Sequence, residues 1–306
     1  MKRVLATIFT IILFVSCGNG ERTSLRIGLM PAVNSIPLLI AESEGYFEEA
    51  GLDVELIMFR SQQYRETALQ TNDIDGTISD LINLISAVNN GFGVKAVCST
   101  EGRFHLLTSR QSEIEDIQDW QNAAPVRTGL LENSIVNLVT DQMLEAEDIS
   151  PDTVNLISTL HLPSRIEMLL TGELEAACVP EPMNVYAQAN GAGSFLSTDV
   201  LQATPGILLF TERSLEAKAE GITRLLEAYN RAAEAVNRDP DSFRRTIVTG
   251  GGFPEEVEAE MTIPTFRSAR LPSRELVNYV NRWMMDQGLI ESPVGYSQLI
   301  AEEVLP

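Results

Sequence analysis

An eight-residue pattern that occurs twice constrains the fold of this chain more than any other feature. The first copy is TNDIDGTI at residues 71–78, and the second is TGELEAAC at residues 171–178. Each copy follows an amphipathic helical pattern, turns through Asn or Gly, and enters an apolar run typical of a buried strand. The recurrence predicts two lobes of similar construction, although two turns from helix to strand can also resemble each other by chance over eight positions.

The order of predicted elements indicates an α/β fold. A strand at 25–30 is followed by a loop, a helix at 36–44, a strand at 53–59 and a helix at 64–70. This order is typical of a parallel sheet covered by helices. After a strand at 206–210 the pattern becomes mainly helical, with helices predicted at 215–237, 241–249, 254–261 and 273–287. The 306 residues exceed the ~100 to 150 of a usual single domain, which also favours two lobes.

The first residues have the pattern of an export signal. Lys2 and Arg3 precede an apolar run at 4–15, and Ser16 is a small residue at the end of that run. The run is shorter than the ~20 residues that a transmembrane helix needs. Residues 1–16 with Cys17 resemble a bacterial lipoprotein signal, in which that cysteine is acylated, and residues 17–24 would be the tether. The alternative is an ordinary secretory peptide with an incidental cysteine. The lipoprotein signal predicts a lipid-anchored, extracytoplasmic location in the cell envelope, in the periplasm or on the outer face of the cytoplasmic membrane.

Composition excludes some partners. The chain has 43 acidic and 22 basic residues and a formal net charge of −21, so nucleic acid is a poor candidate. Besides Cys17, only Cys98 and Cys178 are present, and both lie in apolar, strand-like runs. Both a disulfide between them and two buried free thiols remain open.

The sequence lacks the patterns that enzymes of the common classes carry. The only histidines are His105 and His161, and no triad-like or metal-ligand spacing surrounds them. The paired carboxylates at 73 and 75, and at 173 and 175, lie at turns, where a solvated cap explains them. We therefore expect no enzyme activity, no catalytic residue, no bound metal and no cofactor.

Loops that join a strand end to a helix start offer a binding site instead. Such loops are predicted at 31–37, 61–63, 79–81, 131–134 and 180–182. Helix N-termini leave backbone N–H groups free, and ligands of open α/β sheets bind beyond the carboxyl ends of the strands. A single loop of this kind is more often structural, but the set of five predicts a pocket for a small polar molecule or an anion.

The residues then resemble a known family. Solute-binding proteins of nitrate/sulfonate/taurine-type ABC importers, a group that also includes binders of thiamine-pyrimidine precursors, carry similar blocks along nearly all of residues 24–300. The blocks are IGLMP at 27–31, IPLLIA at 36–41, GYF at 45–47, AGLDVE at 50–55, VKAV at 94–97, GELEAA at 172–177, EP at 181–182, LEAYN at 226–230 and DP at 239–240.

The resemblance implies a type II periplasmic-binding-protein-like fold, with two α/β lobes that close on a ligand in the cleft between them. Lobe I would be 22–104 plus 207–306, lobe II would be 105–206, and the chain would cross at 102–107 and 205–210. The family's ligand contacts fall on Asn34, Ser35, Ile36, Ser61, Gln62, Ser79, Asp80, Asn133, Ser134 and Glu181. The implied partners are a small solute, an ABC permease with its ATPase, and the membrane through Cys17, and we expect a monomer.

Two other functions and two ligand classes remain open. The same resemblance extends to fungal thiamine-pyrimidine synthases, which are enzymes. The isolated cysteines and scarce lysines of this chain argue against that enzyme activity. A lipoprotein that senses a molecule without transporting it is the third possibility. A heterocyclic ligand needs aromatic stacking and an anion needs N–H groups or arginine. The candidates for stacking on a heterocycle are Phe59, Tyr64 and Tyr186, and the candidates for binding an anion are Arg60, Arg103 and Arg127. Glu132 beside the lobe II helix start is unfavourable for a nitrate or sulfonate.

Overall fold

The computed structural model describes residues 22–201 and 203–306. The predicted leader at 1–16, the acylation of Cys17 and most of the predicted tether therefore lie outside the described residues. None of the helices within the described ranges combines the length and apolarity that crossing a bilayer requires.

Within these ranges ten strands form two separate five-stranded sheets. The strand order is β2-β1-β3-β10-β4 in the first sheet and β7-β6-β8-β5-β9 in the second. The strands are β1 (Thr23–Leu29), β2 (Leu52–Met58), β3 (Gly76–Asp80), β4 (Val94–Ser99), β5 (Phe104–Thr108), β6 (Val126–Leu130), β7 (Val154–Ser158), β8 (Ala176–Pro180), β9 (Gly193–Ser197) and β10 (Gly206–Thr211).

The predicted α/β fold with two lobes is confirmed, but the sheets are mixed, whereas the pattern predicted parallel ones. Strand β10 runs antiparallel to β3 and β4, and β5 runs antiparallel to β8 and β9. The reason is the path of the chain between the sheets. Strands β10 and β5 each begin where the chain arrives from the other sheet. The neighbouring strands end at that same edge, so they run in the opposite direction.

Helices cover both faces of each sheet, as the apolar pattern predicted. They are α1 (Ile36–Ser43), α2 (Tyr46–Glu49), α3 (Gln62–Gln70), α4 (Leu81–Asn89), α5 (Ile117–Ala123), α6 (Ile135–Ala146), α7 (Leu162–Thr171), α8 (Met183–Ala189), α9 (Glu212–Arg238), α10 (Arg244–Gly251), α11 (Arg274–Asp286) and α12 (Tyr296–Leu299). In the first sheet α1 and α9 pack on one face, and α4 and α11 pack on the other.

One predicted helix does not form, and several short elements were not predicted. Residues 254–261 hold only a 3-10 turn, Glu255–Val257, followed by a turn in which the N–H of Met261 donates to the carbonyl of Val257 at 2.9 Å. Pro264 keeps a helix from continuing past this turn, because a proline disfavours the helical region for the residue before it, Ile263. The elements that were not predicted include β7, β9, α2 and α12, whose short sequences carry weak periodicity.

The recurring pattern of the sequence corresponds to a recurring set of hydrogen bonds. Arg65 of α3 is buried and donates from Nη1 to the carbonyl of Ile78 at 3.0 Å. Arg165 of α7 is buried and donates from Nη1 to the carbonyl of Cys178 at 2.9 Å. In each lobe the acid of the turn accepts from a backbone N–H of the neighbouring strand, Asp75 from Arg26 and Glu175 from Arg127. The two lobes therefore share their construction at the level of individual contacts.

The chain passes between the sheets twice, over residues 100–103 and 198–205. Both segments differ from the predicted crossings at 102–107 and 205–210, because Phe104 already pairs with Pro180 and Gly206 already pairs with Asp80. We call residues 22–99 and 206–306 lobe I, residues 104–197 lobe II, and the two segments between them the hinge.

Cys98 and Cys178 are free thiols in different sheets. Both side chains are fully buried, and burial raises the pKa of Cys98 to about 12 and that of Cys178 to about 11. Of the two alternatives that the sequence left open, the structure therefore has buried free thiols.

Candidate functional site

The first predicted loop lies where β1 ends. Residues Val33–Ser35 form a 3-10 turn that leads into α1. Ser35 is buried and donates from Oγ to the carbonyl of Met30 at 3.2 Å, and Ile36 packs in the hydrophobic core with no exposed surface. In this conformation only Asn34 of the three predicted contacts has a free side-chain group, because its buried Oδ1 has no hydrogen-bond partner among the described residues.

The second and third predicted loops lie beside each other at the same edge of lobe I. Ser61 is the residue before α3, and its side chain makes no cap hydrogen bond. Gln62 donates from Nε2 to Oδ1 of Asn83 at 3.0 Å, which links α3 to α4. Asp80 accepts from the N–H of Asn83 at 2.9 Å and from its Nδ2 at 2.7 Å, and so caps α4. The structure thus brings these predicted residues together.

Charges beneath this edge are balanced within the lobe. Ser79 is buried and accepts from Nη2 of Arg65 at 3.3 Å. Burial raises the pKa of Asp80, although the N–H of Asn83 and the positive charge of Arg65 act in the opposite direction. Burial disfavours the charged form of Arg65 as well, and so lowers the pKa of that guanidinium group. Arg65 makes its ion-pair contact with Glu66 at 3.5 Å, and its charge also offsets part of the cost of burying Asp80.

In lobe II the predicted contacts at 133 and 134 lie at the start of α6. Asn133 adopts a left-handed backbone with φ of 58°, which asparagine tolerates better than most residues. Ser134 precedes α6 and donates from Oγ to the carbonyl of Leu131 at 2.6 Å. Because the Ser134 hydroxyl is turned toward Leu131, it does not cap the helix.

Glu181 has a different place from the cleft-lining position that the resemblance implied. Its side chain is fully buried, and Oε2 lies 2.8 Å from Nε2 of His105 and 3.8 Å from Nη1 of Arg103. Its Oε1 accepts from the backbone N–H of Thr262, in lobe I, at 2.8 Å. Both carboxylate oxygens are thus already in use. In this conformation Glu181 joins the two lobes and is closed to a direct contact with solute.

A cavity of about 360 Å³ lies against the hinge. Arg103 of the first hinge segment pairs there with Asp199 of the second, and Arg270 pairs with Glu101 at 3.3 Å. Burial raises the pKa of Glu101, although the nearby Arg270 acts in the opposite direction. The lining residues are Thr100, Glu101, Gly102, Arg103, Thr198, Asp199, Leu201, Ala203, Thr204, Thr262, Ile263, Pro264, Thr265, Arg267 and Arg270.

Sequence reasoning named Arg103 of this cavity but missed Thr100, Thr262 and Arg270. Thr100 directly follows β4 at the same sheet edge as the predicted loops, so the strand-end rule that selected Asp80 could also have selected it. Thr262 and Arg270 carry no such signal, since they lie in an extended segment that reaches the hinge only in three dimensions.

The lobes also meet along α6 and α11. Trp283 donates from Nε1 to Oδ2 of Asp141 at 2.7 Å, and Tyr279 donates from Oη to Oε2 of Glu145 at 2.8 Å. Leu138 of α6 is fully buried in the hydrophobic cluster of lobe I. Burial raises the pKa of Asp141 to about 6. This contact and the Glu181 bridge fix the relative position of the lobes.

Comparison with known proteins places these features in a family. Residues 18–249 match the profile of the NMT1-like family. The chain belongs to that family. A protein of Brachyspira hyodysenteriae named as an ABC transporter periplasmic binding protein is 23% identical over 277 residues, which cover 83% of this chain and 80% of the relative. The resemblance to solute-binding proteins of ABC importers is thereby confirmed.

Solved structures confirm the fold. The ligand-binding component of an ABC-type import system from Staphylococcus aureus aligns with a TM-score of 0.77 at 14% identity, covering 92% of this chain and 97% of that one. The periplasmic aliphatic sulphonate-binding protein SsuA of Escherichia coli aligns with a TM-score of 0.74 at 16% identity, covering 91% and 92%. The Brachyspira relative and these two structures are each named as binding components of ABC transport systems.

The side chains of the described residues can also be searched for a metal-binding arrangement. Within residues 22–201 and 203–306, no group of three or more His, Cys, Asp and Glu side chains is arranged to hold a metal ion. The polar groups of the site are serines, threonines, asparagines and arginine–carboxylate pairs, which suit hydrogen bonding to a small solute.

Proposed function

We propose that this NMT1-like protein is the extracytoplasmic solute-binding component of an ABC importer, anchored to the membrane through an acylated Cys17. The observation that carries the proposal is the pair of mixed sheets joined by two chain segments, with the ends of β3 and β4 and the ends of β8 and β9 next to those segments. That arrangement suits capture by closure, because a solute that contacts both lobes stabilises the closed form by its additional contacts. The named relatives support the same function.

The proposal assigns separate solute contacts to each lobe. Lobe I would present Asn34, Ser61, Gln62 and the polar end of β3, and lobe II would present the start of α6. Glu181, Ser35 and Ile36 would shape the site from behind, because their side chains are buried and occupied. The chain would act as a monomer, without catalysis, and would hand its solute to a permease driven by an ATPase.

Fractionation of host cells tests the anchor. We expect the wild-type protein in the membrane fraction and the Cys17→Ala variant in the soluble extracytoplasmic fraction, because the acyl chains attach to that thiol. Cys98→Ala is the matched control, since it removes a buried thiol of lobe I and leaves Cys17 in place. If Cys17→Ala stayed membrane-bound, the proposed anchor at Cys17 would be contradicted.

Thermal unfolding with a small-molecule ultrafiltrate of the host's growth medium tests solute capture. A solute that binds only the folded protein raises its melting temperature, and the rise grows with the logarithm of the solute concentration above Kd. We expect such a rise, and mass spectrometry of the protein recovered from the filtrate should reveal a retained small molecule. A filtrate that supports growth but leaves both measurements unchanged would contradict solute binding.

A further inference from the structure

The cavity of about 360 Å³ that lies against the hinge is lined by three arginines, and we call it the hinge cavity. The arginines are Arg103, Arg267 and Arg270, and two acids, Glu101 and Asp199, line the same space. The whole chain has the opposite balance, with 43 acidic and 22 basic residues. A concave space with more arginines than acids therefore differs from the rest of this protein, and positive charge in a cavity attracts negative ligands.

The carboxylate of Asp199 is already occupied by its neighbours. Nε of Arg103 donates to its Oδ1 at 3.0 Å, and Nη2 of Arg103 and Oγ of Ser197 donate to its Oδ2. The hydrogen bonds from Arg103 lower the pKa of Asp199, although burial acts in the opposite direction. Glu181 lies behind Arg103 at 3.8 Å and does not line the cavity. The Arg103–Asp199 pair therefore contributes little net charge to the cavity wall.

The carboxylate of Glu101 is shared by two arginines. Nη2 of Arg270 donates to Oε1 of Glu101 at 3.3 Å, whereas Arg267 makes no ion pair with any acid of the described residues. Burial raises the pKa of Glu101, and the charges of both Arg270 and Arg267 act in the opposite direction. One carboxylate thus serves two guanidinium groups, and the positive charge of Arg267 is left without an acid of its own.

Hydroxyl groups form much of the remaining wall of the hinge cavity. Five threonines line it: Thr100, Thr198, Thr204, Thr262 and Thr265. A threonine hydroxyl can donate to an anion, and a guanidinium group offers a planar fork of N–H donors that matches the oxygens of carboxylate or phosphate. The wall therefore combines hydroxyl donors with a guanidinium group that lacks an acid partner, and these groups suit a small oxyanion.

We propose that the hinge cavity is a binding site for a small oxyanion, a carboxylate, phosphate or sulfate, which is separate from the solute site in the cleft. None of the residues that the family resemblance assigns to the solute lines this cavity. Its wall contains both hinge segments and residues of the lobe I segment 262–270, so a bound oxyanion would hold these three segments together. Binding would therefore favour the lobe arrangement of this structure.

Thermal unfolding with sodium acetate, sodium phosphate and sodium sulfate tests the site, with sodium chloride of equal ionic strength as the reference. We expect at least one of the three oxyanions to raise the melting temperature of the wild-type protein at low millimolar concentration, because the cavity exists only in the folded protein. The oxyanion with the largest shift identifies the class that fits. No shift with any of the three would overturn the proposal.

Substitution of Arg267 locates the effect. This side chain is exposed, so Arg267→Gln should leave the melting temperature without oxyanion almost unchanged. Affinity for the favoured oxyanion should fall about tenfold, the loss of one charge-assisted hydrogen bond, and Arg267→Lys should lose less because it keeps the charge. Arg213→Gln is the matched control, since it removes an exposed arginine of α9 that does not line the cavity, and it should keep the wild-type affinity.

A general salt effect gives a different result from a site. Ions that stabilise a protein because they are excluded from its surface act alike on the wild-type protein and both glutamine variants. Equal responses of Arg267→Gln and Arg213→Gln to the favoured oxyanion would therefore overturn the hinge cavity as a site.

The growth-medium filtrate separates this site from solute capture, because Arg267→Gln should respond only to a solute in the cleft. If the filtrate stabilises Arg267→Gln, and the oxyanions stabilise the wild-type protein more than this variant, both proposals are supported. If the filtrate stabilises Arg267→Gln but no oxyanion stabilises the wild-type protein, solute capture stands and the hinge cavity is wrong. If an oxyanion stabilises the wild-type protein but the filtrate leaves Arg267→Gln unchanged, the hinge cavity stands and solute capture fails.

Discussion

Replacing Glu181 by alanine is expected to destabilise the protein by about 3 kcal/mol and to loosen the contact between its lobes. The side chain is fully buried, and it bridges His105 and Arg103 on one side and the N–H of Thr262 on the other. Alanine would leave the buried donors of these groups without their acceptor, which costs more than the pair itself contributes. Urea unfolding measures the loss.

The hydrogen bond between Thr262 and Glu181, which joins the two lobes, can be measured separately. Hydrogen exchange at the amide of Thr262 should accelerate in Glu181→Ala, because Oε1 is its acceptor. Glu181→Gln retains an acceptor oxygen for Thr262 and should lose roughly 1 to 2 kcal/mol. Glu55→Ala breaks an exposed pair with Arg26 and should stay within ~0.5 kcal/mol of the wild-type protein. If Glu181→Ala changed as little as Glu55→Ala, the structural role of the bridge would be wrong.

Local patterns in the sequence predicted the parts of the fold that depend on neighbouring residues. The alternation of strands and helices predicted the α/β class, and the copies at 71–78 and 171–178 matched turns with equivalent bonds from Arg65 and Arg165. Those bonds span 13 residues in each lobe, so a local pattern can carry them. The loops at strand ends were predictable for the same reason.

Contacts between distant parts of the chain were not predictable from local patterns. Glu181 was expected to face a solute because it follows a strand, yet its partners in space include Thr262, 81 residues away. Asp141 and Trp283 are separated by 142 residues, and each alone has the pattern of an ordinary helical position. The antiparallel direction of β10 likewise depends on where the chain crosses, which apolar periodicity does not encode.

The α6–α11 contact should make stability depend on pH through Asp141. Burial raises the pKa of this carboxyl from 3.8 to about 6, and the negative Glu145 adds to the shift while the Trp283 N–H opposes it. An acid whose pKa is higher in the folded state binds more protons there than when unfolded, so stability falls as pH rises from about 4 to about 6. The full penalty, roughly 3 kcal/mol, is present above that range.

Asp141→Asn removes the charge and keeps an oxygen that can accept from Nε1 of Trp283. We therefore expect the variant to be about 2 to 3 kcal/mol more stable than the wild-type protein at about pH 8, and similar to it at about pH 4. Asp286→Asn, an exposed position at the end of α11, should shift stability by less than ~0.5 kcal/mol at either pH. Urea unfolding across this range measures the difference, and a gap between wild-type protein and Asp141→Asn that stayed constant with pH would show that Asp141 is not the titrating group. Because Asp141 contacts lobe I only while α6 lies against α11, the same charge would also bias the lobe closure that we propose for solute capture.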